Sequence, residues 1–141
     1  MTSNESTTPD LIELTRRTIG AINVRDLDTA MNVFAPDPLW DMSSMGMGTF
    51  NGRAAIRGLF EDWVAPYEEW EIECEQVLHL GTGVVLVQLT EIGRPIGSTG
   101  RVQLSYAGVC VWAQGMAVRV STYADIDEAR AAAERLVAER G

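Results

Sequence analysis

Apolar and polar positions alternate along this chain with two different periods, and the change between them divides it. In the first part, Leu11, Leu14, Thr15, Thr18 and Ile22 recur at helical spacing, while Glu13, Arg16 and Arg17 point elsewhere. This predicts an amphipathic helix to about Val24, with Pro9 at its first position and Thr8 as its cap. A second, shorter helix follows Arg25-Asp26-Leu27-Asp28 and turns Leu27, Ala30, Met31, Val33 and Phe34 inward, and Pro36 and Pro38 stop it. Leu39 to Met42 reads as a short strand, Ser43 to Gly48 as a Met/Gly-rich turn, and Arg53 to about Val64 as a third helix closed by Pro66.

From Glu69 the period becomes two. Trp70, Ile72 and Cys74 alternate with Glu69, Glu71, Glu73 and Glu75, as expected of a strand with one acidic, solvated face. Gly81-Thr82-Gly83 turns the chain into the strand Val84 to Leu89, and Gly93 to Gly100 forms a longer connection. Strands over Arg101 to Trp112 and Met116 to Ala124 meet at the turn Ala113-Gln114-Gly115. Asp125 and Glu128 have the spacing of a capping box for a last helix, Ile126 to about Glu139. Helices first and antiparallel strands after predict an α+β fold in one domain over residues 9–141, behind a flexible polar stretch at 1–8.

Composition narrows the function classes. The 141 residues carry 20 acidic and 11 basic side chains, all eleven arginine, for a formal charge of −9. A phosphate backbone repels such a chain unless arginines cluster, and these are scattered from Arg16 to Arg140, so no nucleic-acid partner is expected. No apolar run is long enough for a bilayer, and the polar start lacks a secretory pattern, so the expected location is cytoplasmic with no membrane partner. Cys74 and Cys110 lack metal or redox spacing and read as small core residues. His79 is the sole histidine, without a ligand partner at metal-binding spacing, so no metal is expected. No phosphate-binding glycine loop and no nucleophile elbow is present, which leaves cofactor-free chemistry.

Three stretches carry a family resemblance. They are Phe34-Ala35-Pro36-Asp37 into Leu39-Trp40-Asp41-Met42, then Asn51-Gly52-Arg53-Ala54-Ala55-Ile56-Arg57-Gly58-Leu59-Phe60, and Val109 to Trp112 through Gln114-Gly115 to Tyr123-Ala124-Asp125-Ile126-Asp127-Glu128-Ala129. In this order they resemble the SnoaL-like, ketosteroid-isomerase-like members of the nuclear-transport-factor-two-like superfamily. The resemblance implies a cystatin-like cone, in which a curved antiparallel sheet wraps three N-terminal helices and is joined by a C-terminal helix. It also implies a pocket for a small hydrophobic ligand and a homodimer. Because the superfamily includes isomerases, cyclases, hydrolases and proteins that only bind, it does not fix the chemistry.

Asp41 lies where isomerase-like relatives carry a general base, and Trp40, Met42, Met45 and Met47 would raise its pKa by desolvation. Counting without gaps from Phe34 places that base at Met42, one residue later and on the opposite face of a strand. Asp125 lies where cyclase-type relatives place a catalytic acid or base, although capping also explains it. Arg119, Ser121 and Tyr123 share a strand face; with Asp41 and Asp125, Arg119 or Arg101 supplies the residue types of an epoxide-hydrolase site. A solvated arginine paired with Glu69, Glu71, Glu73 or Glu75 is the plainer alternative for these strands.

The large soft side chains suit the wall of an apolar pocket. Trp40, Met42, Met45, Trp63 and Tyr67 are candidates before the sheet, and Gln88, Arg101, Tyr106 and Trp112 within or beside it. Together these readings predict a cofactor-independent isomerase, cyclase or hydrolase acting on a small carbonyl or epoxide compound. The alternative is a non-catalytic ligand-binding or assembly module.

Overall fold

A computed structural model describes residues 10–140. The first helix, α1 (Leu11–Asn23), is capped by Asp10, whose carboxylate accepts from the amides of Ile12 and Glu13. The expected cap, Thr8, lies outside the described residues. A one-turn helix α2 (Leu27–Met31) starts from Asp26, whose side chain accepts from Thr29 N. The chain then enters β1 (Phe34–Asp41), a 3-10 turn over Ser43–Met45, β2 (Thr49–Asn51) and α3 (Arg53–Val64). Four strands follow, β3 (Tyr67–Gly81), β4 (Val84–Pro95), β5 (Val102–Ala113) and β6 (Met116–Tyr123), before the closing helix α4 (Ile126–Arg140).

Two expectations are corrected at β1. Phe34 belongs to the strand and not to the preceding helix, and Pro36 and Pro38 lie within the strand. They are tolerated because the ladder to β6 is irregular between Phe34 and Leu39, where no proline N–H is required. The short strand β2, which pairs only with β1, had no counterpart in the sequence pattern.

The fold is α+β, built on a six-stranded sheet in the order β2-β1-β6-β5-β4-β3. The sheet is mixed and not wholly antiparallel, because β1 runs parallel to β6. Register breaks in the β3/β4 ladder near Glu69, Glu75 and Leu80 bend it.

Side-chain alternation sends residues to two faces, and both are covered. The inner face packs Trp70, Ile72, Val85, Val87, Leu89, Cys110, Trp112 and Val120 against α1, α2 and α3. The outer face packs Val84, Leu86, Ala107 and Val109 against Ala129 and Ala133 of α4. Covering on both sides explains why Val84 to Leu89 is apolar without interruption and shows no alternation of its own.

Gly93 illustrates how closely the inner layer is fitted. A Cβ there would lie 2.6 Å from the ring of Tyr67, so the bare backbone is what lets Tyr67 lie across β4. No helix among the described residues is long and apolar enough to cross a membrane.

Candidate active site

The inner face encloses two adjoining apolar cavities. The outer chamber, about 40 Å³, is lined by Trp40, Met42, Met45, Leu59, Phe60, Trp63, Tyr106 and Thr122. The inner chamber, about 90 Å³, lies between α1 and the sheet and is lined by Ile19, Ile22, Phe34, Val87, Leu89, Gly108, Cys110, Trp112 and Val120, among others. Trp40, Tyr106 and Thr122 belong to both walls.

Each shared residue has a structural reason for its place. Trp40 pairs with Val120 in the β1/β6 ladder, so its indole points inward, where its N–H donates to Thr122 Oγ1 at 3.0 Å. Its ring meets Phe60 edge-on at 5.1 Å between centroids. On α3, Ile56, Leu59 and Phe60 are buried, and Trp63 follows Leu59 by four residues on that same face.

A buried carboxylate, Glu91, which had not been singled out in the sequence, lies behind the wall of the outer chamber in contact with Trp63 and lines neither chamber. It continues the inward series Val85, Val87 and Leu89 on β4 and is only 4% exposed. Its backbone neighbours across the sheet are Ile72 and Leu104. The indole N–H of Trp63 donates to Glu91 Oε1.

Burial raises the pKa of Glu91 above the ordinary carboxylate range, and the N–H groups of Trp63 and Trp70 offset only part of that rise. The Trp70 N–H is buried and meets no acceptor in good hydrogen-bond geometry. Glu91 has no salt-bridge partner among the described residues. Tyr106, on both chamber walls, has its own pKa pushed up by burial and by the nearby Glu91 charge, so its phenol stays protonated and can donate.

The catalytic candidates read from the sequence lie elsewhere. Asp41 pairs with Ser121 in register, one position beyond Trp40, and its side chain leaves the opposite face of the sheet. There it accepts from Ser43 N at 2.9 Å and Ser43 Oγ at 2.5 Å and pairs with Arg119 at 3.2 Å. These hydrogen bonds, with a smaller contribution from Arg119, lower its pKa, the opposite of the expected desolvation effect. Asp41 and Arg119 therefore meet, but away from the chambers, and the position facing inward is Met42, which is 5% exposed.

Tyr123 packs beneath α4. Asp125 accepts from Asp127 N at 2.9 Å at the start of α4 and borders a separate open groove with Gln88, Ser105 and Ile126. Gln88 thus faces the outer layer and not the pocket. Arg101 is exposed and pairs with Glu69 at 2.7 Å, the plainer of its two readings. Of the wall candidates, Trp40, Met42, Met45, Trp63, Tyr106 and Trp112 line one or both chambers, and Tyr67 lies over Gly93 behind them. No group of three or more potential metal-ligating side chains is found among the described residues.

Comparison with known proteins agrees with this architecture. Residues 15–120 match the SnoaL-like domain family. No curated protein sequence matches the chain. Among solved structures, TerC co-crystallised with polyporic acid aligns with a TM-score of 0.70 at 20% identity, over 87% of this chain and 97% of that one. An NTF2-like protein from Burkholderia pseudomallei aligns at 0.69 and 22% identity, over 86% and 95% of the two chains. A protein of ketosteroid-isomerase-like fold from Catenulispora acidiphila, in complex with trimethylamine, aligns at 0.69 and 18%, over 83% and 86%. At these identities the likeness is one of fold.

Proposed function

We propose, from the premise that this chain belongs to the SnoaL-like domain family, that it binds a small apolar carbonyl compound in its two chambers and moves a proton on it without a cofactor. Glu91 is the acid and base, and Tyr106 is the hydrogen-bond donor to the substrate oxygen.

The observation that carries this reading is Glu91 itself, a carboxyl 4% exposed, raised in pKa and held by the Trp63 indole beside an apolar pocket. A carboxylate destabilised by burial is a stronger base than one in water. Glu91 takes a proton from the carbon next to the carbonyl, and the electron pair moves to the carbonyl oxygen, which accepts a hydrogen bond from the Tyr106 phenol. Where the compound carries a β,γ double bond, return of that proton to the γ carbon re-forms the carbonyl and moves the double bond into conjugation, an isomerisation with no net change in atoms or electrons. The apolar walls keep water from competing for the proton.

A second reading, binding without chemistry, draws support from the remainder of the walls, which are almost entirely hydrocarbon and aromatic.

Exchange of substrate protons in heavy water separates the two. The protein is incubated with a panel of small ketones in deuterated buffer, and loss of the proton signals next to the carbonyl is followed by NMR. Exchange by the native chain that Glu91→Gln abolishes supports proton transfer at Glu91. Binding without exchange, or exchange unaffected by Glu91→Gln, rejects it in favour of the binding module.

A further inference from the structure

Two glycines sit on inward positions of the central strands, and only one is explained by its neighbours. At Gly93 the ring of Tyr67 occupies the space of the absent side chain. At Gly108, on β5 between Val87 of β4 and Thr122 of β6, nothing does. A Cβ built there would meet only Val87 Cγ2 at 3.6 Å and Ser121 O at 3.8 Å, ordinary contacts, and Gly108 is not among the residues of positive φ. Glycine in a strand interior is otherwise unfavourable, because it packs nothing and adds backbone entropy to the unfolded chain. What its bare Cα does is deepen the inner chamber, whose wall it forms.

The wall of that chamber is almost wholly apolar, and the buried indole N–H of Trp112, one of its lining residues, has no hydrogen-bond partner among the described residues. The hydroxyls of Thr15 and Thr18, which border the chamber, are spent on the carbonyls of Leu11 and Leu14 at 2.7 and 2.8 Å. Burial holds the Cys110 thiol in its neutral form. Tyr106 and Trp40 line both chambers, and Glu91 is joined to the outer one through its bond to Trp63.

We propose that the inner chamber is a hydrocarbon-tail subsite with Gly108 as its floor, so that the ligand is a compound with one polar oxygen at one end and an unsubstituted alkyl or aryl tail at the other. The proposal rests on the reading above, in which the polar end meets Glu91 and Tyr106, and it specifies what the remainder of the ligand must be. Trp40 is then the residue past which the tail threads, and the Trp40 to Thr122 hydrogen bond fixes the width of the passage.

The test is titration calorimetry with methyl ketones of increasing chain length, from butanone upward, on the native chain, Gly108→Ala and Gly108→Val. For the native chain, affinity rises about fourfold per methylene (~0.8 kcal/mol each) until the chamber is full and then levels off. In Gly108→Ala the levelling-off comes earlier in the series, and in Gly108→Val earlier still, with the shortest ketones bound as by the native chain. Thermal melting serves as the folding control, and Gly108→Ala melts no lower than the native chain. If Gly108→Val does not fold, Gly108→Ala alone decides.

A native affinity that is absent or flat along the series overturns the subsite, as does a folded Gly108 variant that binds the whole series like the native chain. Glu91→Gln is run in parallel. Exchange lost in Glu91→Gln with the chain-length dependence kept is the result both proposals predict; chain-length dependence without exchange that Glu91→Gln abolishes overturns the proton transfer alone, and such exchange with affinity flat along the series overturns the subsite alone.

Discussion

Asp41 and Met42 are neighbours on one strand end, and the chemistry of the site turns on which of them faces inward. Because β1 pairs Trp40 with Val120, the alternation places Asp41 with Arg119 and Ser121 on the outer face and leaves Met42 in the pocket wall. An acid in that part of the sequence is therefore a local device that holds the 3-10 turn, its carboxylate accepting an Asx-type bond from Ser43 N. Asp41→Ala is expected to cost about 1 kcal/mol of stability in urea unfolding and to leave proton exchange within a few-fold of native. Since its pKa is lowered in the folded chain, that contribution is present above the unfolded pKa and fades as the pH falls through the folded one.

Glu91 behaves in the opposite sense. Its folded pKa is raised, so its proton favours folding most below the ordinary glutamate range, and this advantage is lost as the pH rises through the raised value. Glu91→Gln keeps the acceptor for Trp63 and has no charge to bury. Its melting temperature should exceed that of the native chain at neutral and alkaline pH, the gap closing toward acid, while exchange activity falls by about two to four orders of magnitude. Glu91 was legible in principle, because it lies two residues beyond Leu89 in the series Val85, Val87, Leu89. The apolar run hid that period, and the strand was expected to end at Leu89 when it runs on to Pro95.

At the scale of elements, the sequence pattern found the helices and long strands wherever the period was carried by local residues. It failed where pairing partners lie far apart in the chain. Nothing local marks β1 as parallel to β6, and three residues of β2 are too few to show a period. The prolines of β1 argued for a break and got one in the ladder, but not in the strand. The fit of elements also makes a prediction at β4. Gly93→Ala sets a methyl 2.6 Å from the Tyr67 ring, so that ring or the β3 strand carrying it must shift. A loss of roughly 1–3 kcal/mol, the range for overpacking, is expected in chemical denaturation, with a change in the environment of Tyr67.

At the scale of the whole molecule, the sheet separates two layers with different tasks. The inner layer holds the chambers and Glu91, and the outer layer packs α4 on the sheet through Ala129 and Ala133, both 0% exposed. Ala133→Leu should therefore cost stability, again roughly 1–3 kcal/mol, and leave ketone affinity unchanged, whereas a substitution of similar bulk at Gly108 should do the reverse. The overall α+β plan was readable because both layers are encoded by contiguous apolar stripes. The working face was not, because it depends on a register that a one-residue step inverts.

The central claim is that the pocket's proton is carried by Glu91, and its most direct test is an NMR titration of the Glu91 side-chain carboxyl carbon in the ligand-free protein. A midpoint clearly above the ordinary glutamate value of 4.5 is predicted; a midpoint at or below it would mean a solvated or charge-paired carboxylate and would contradict the assignment of Glu91 as the acid and base.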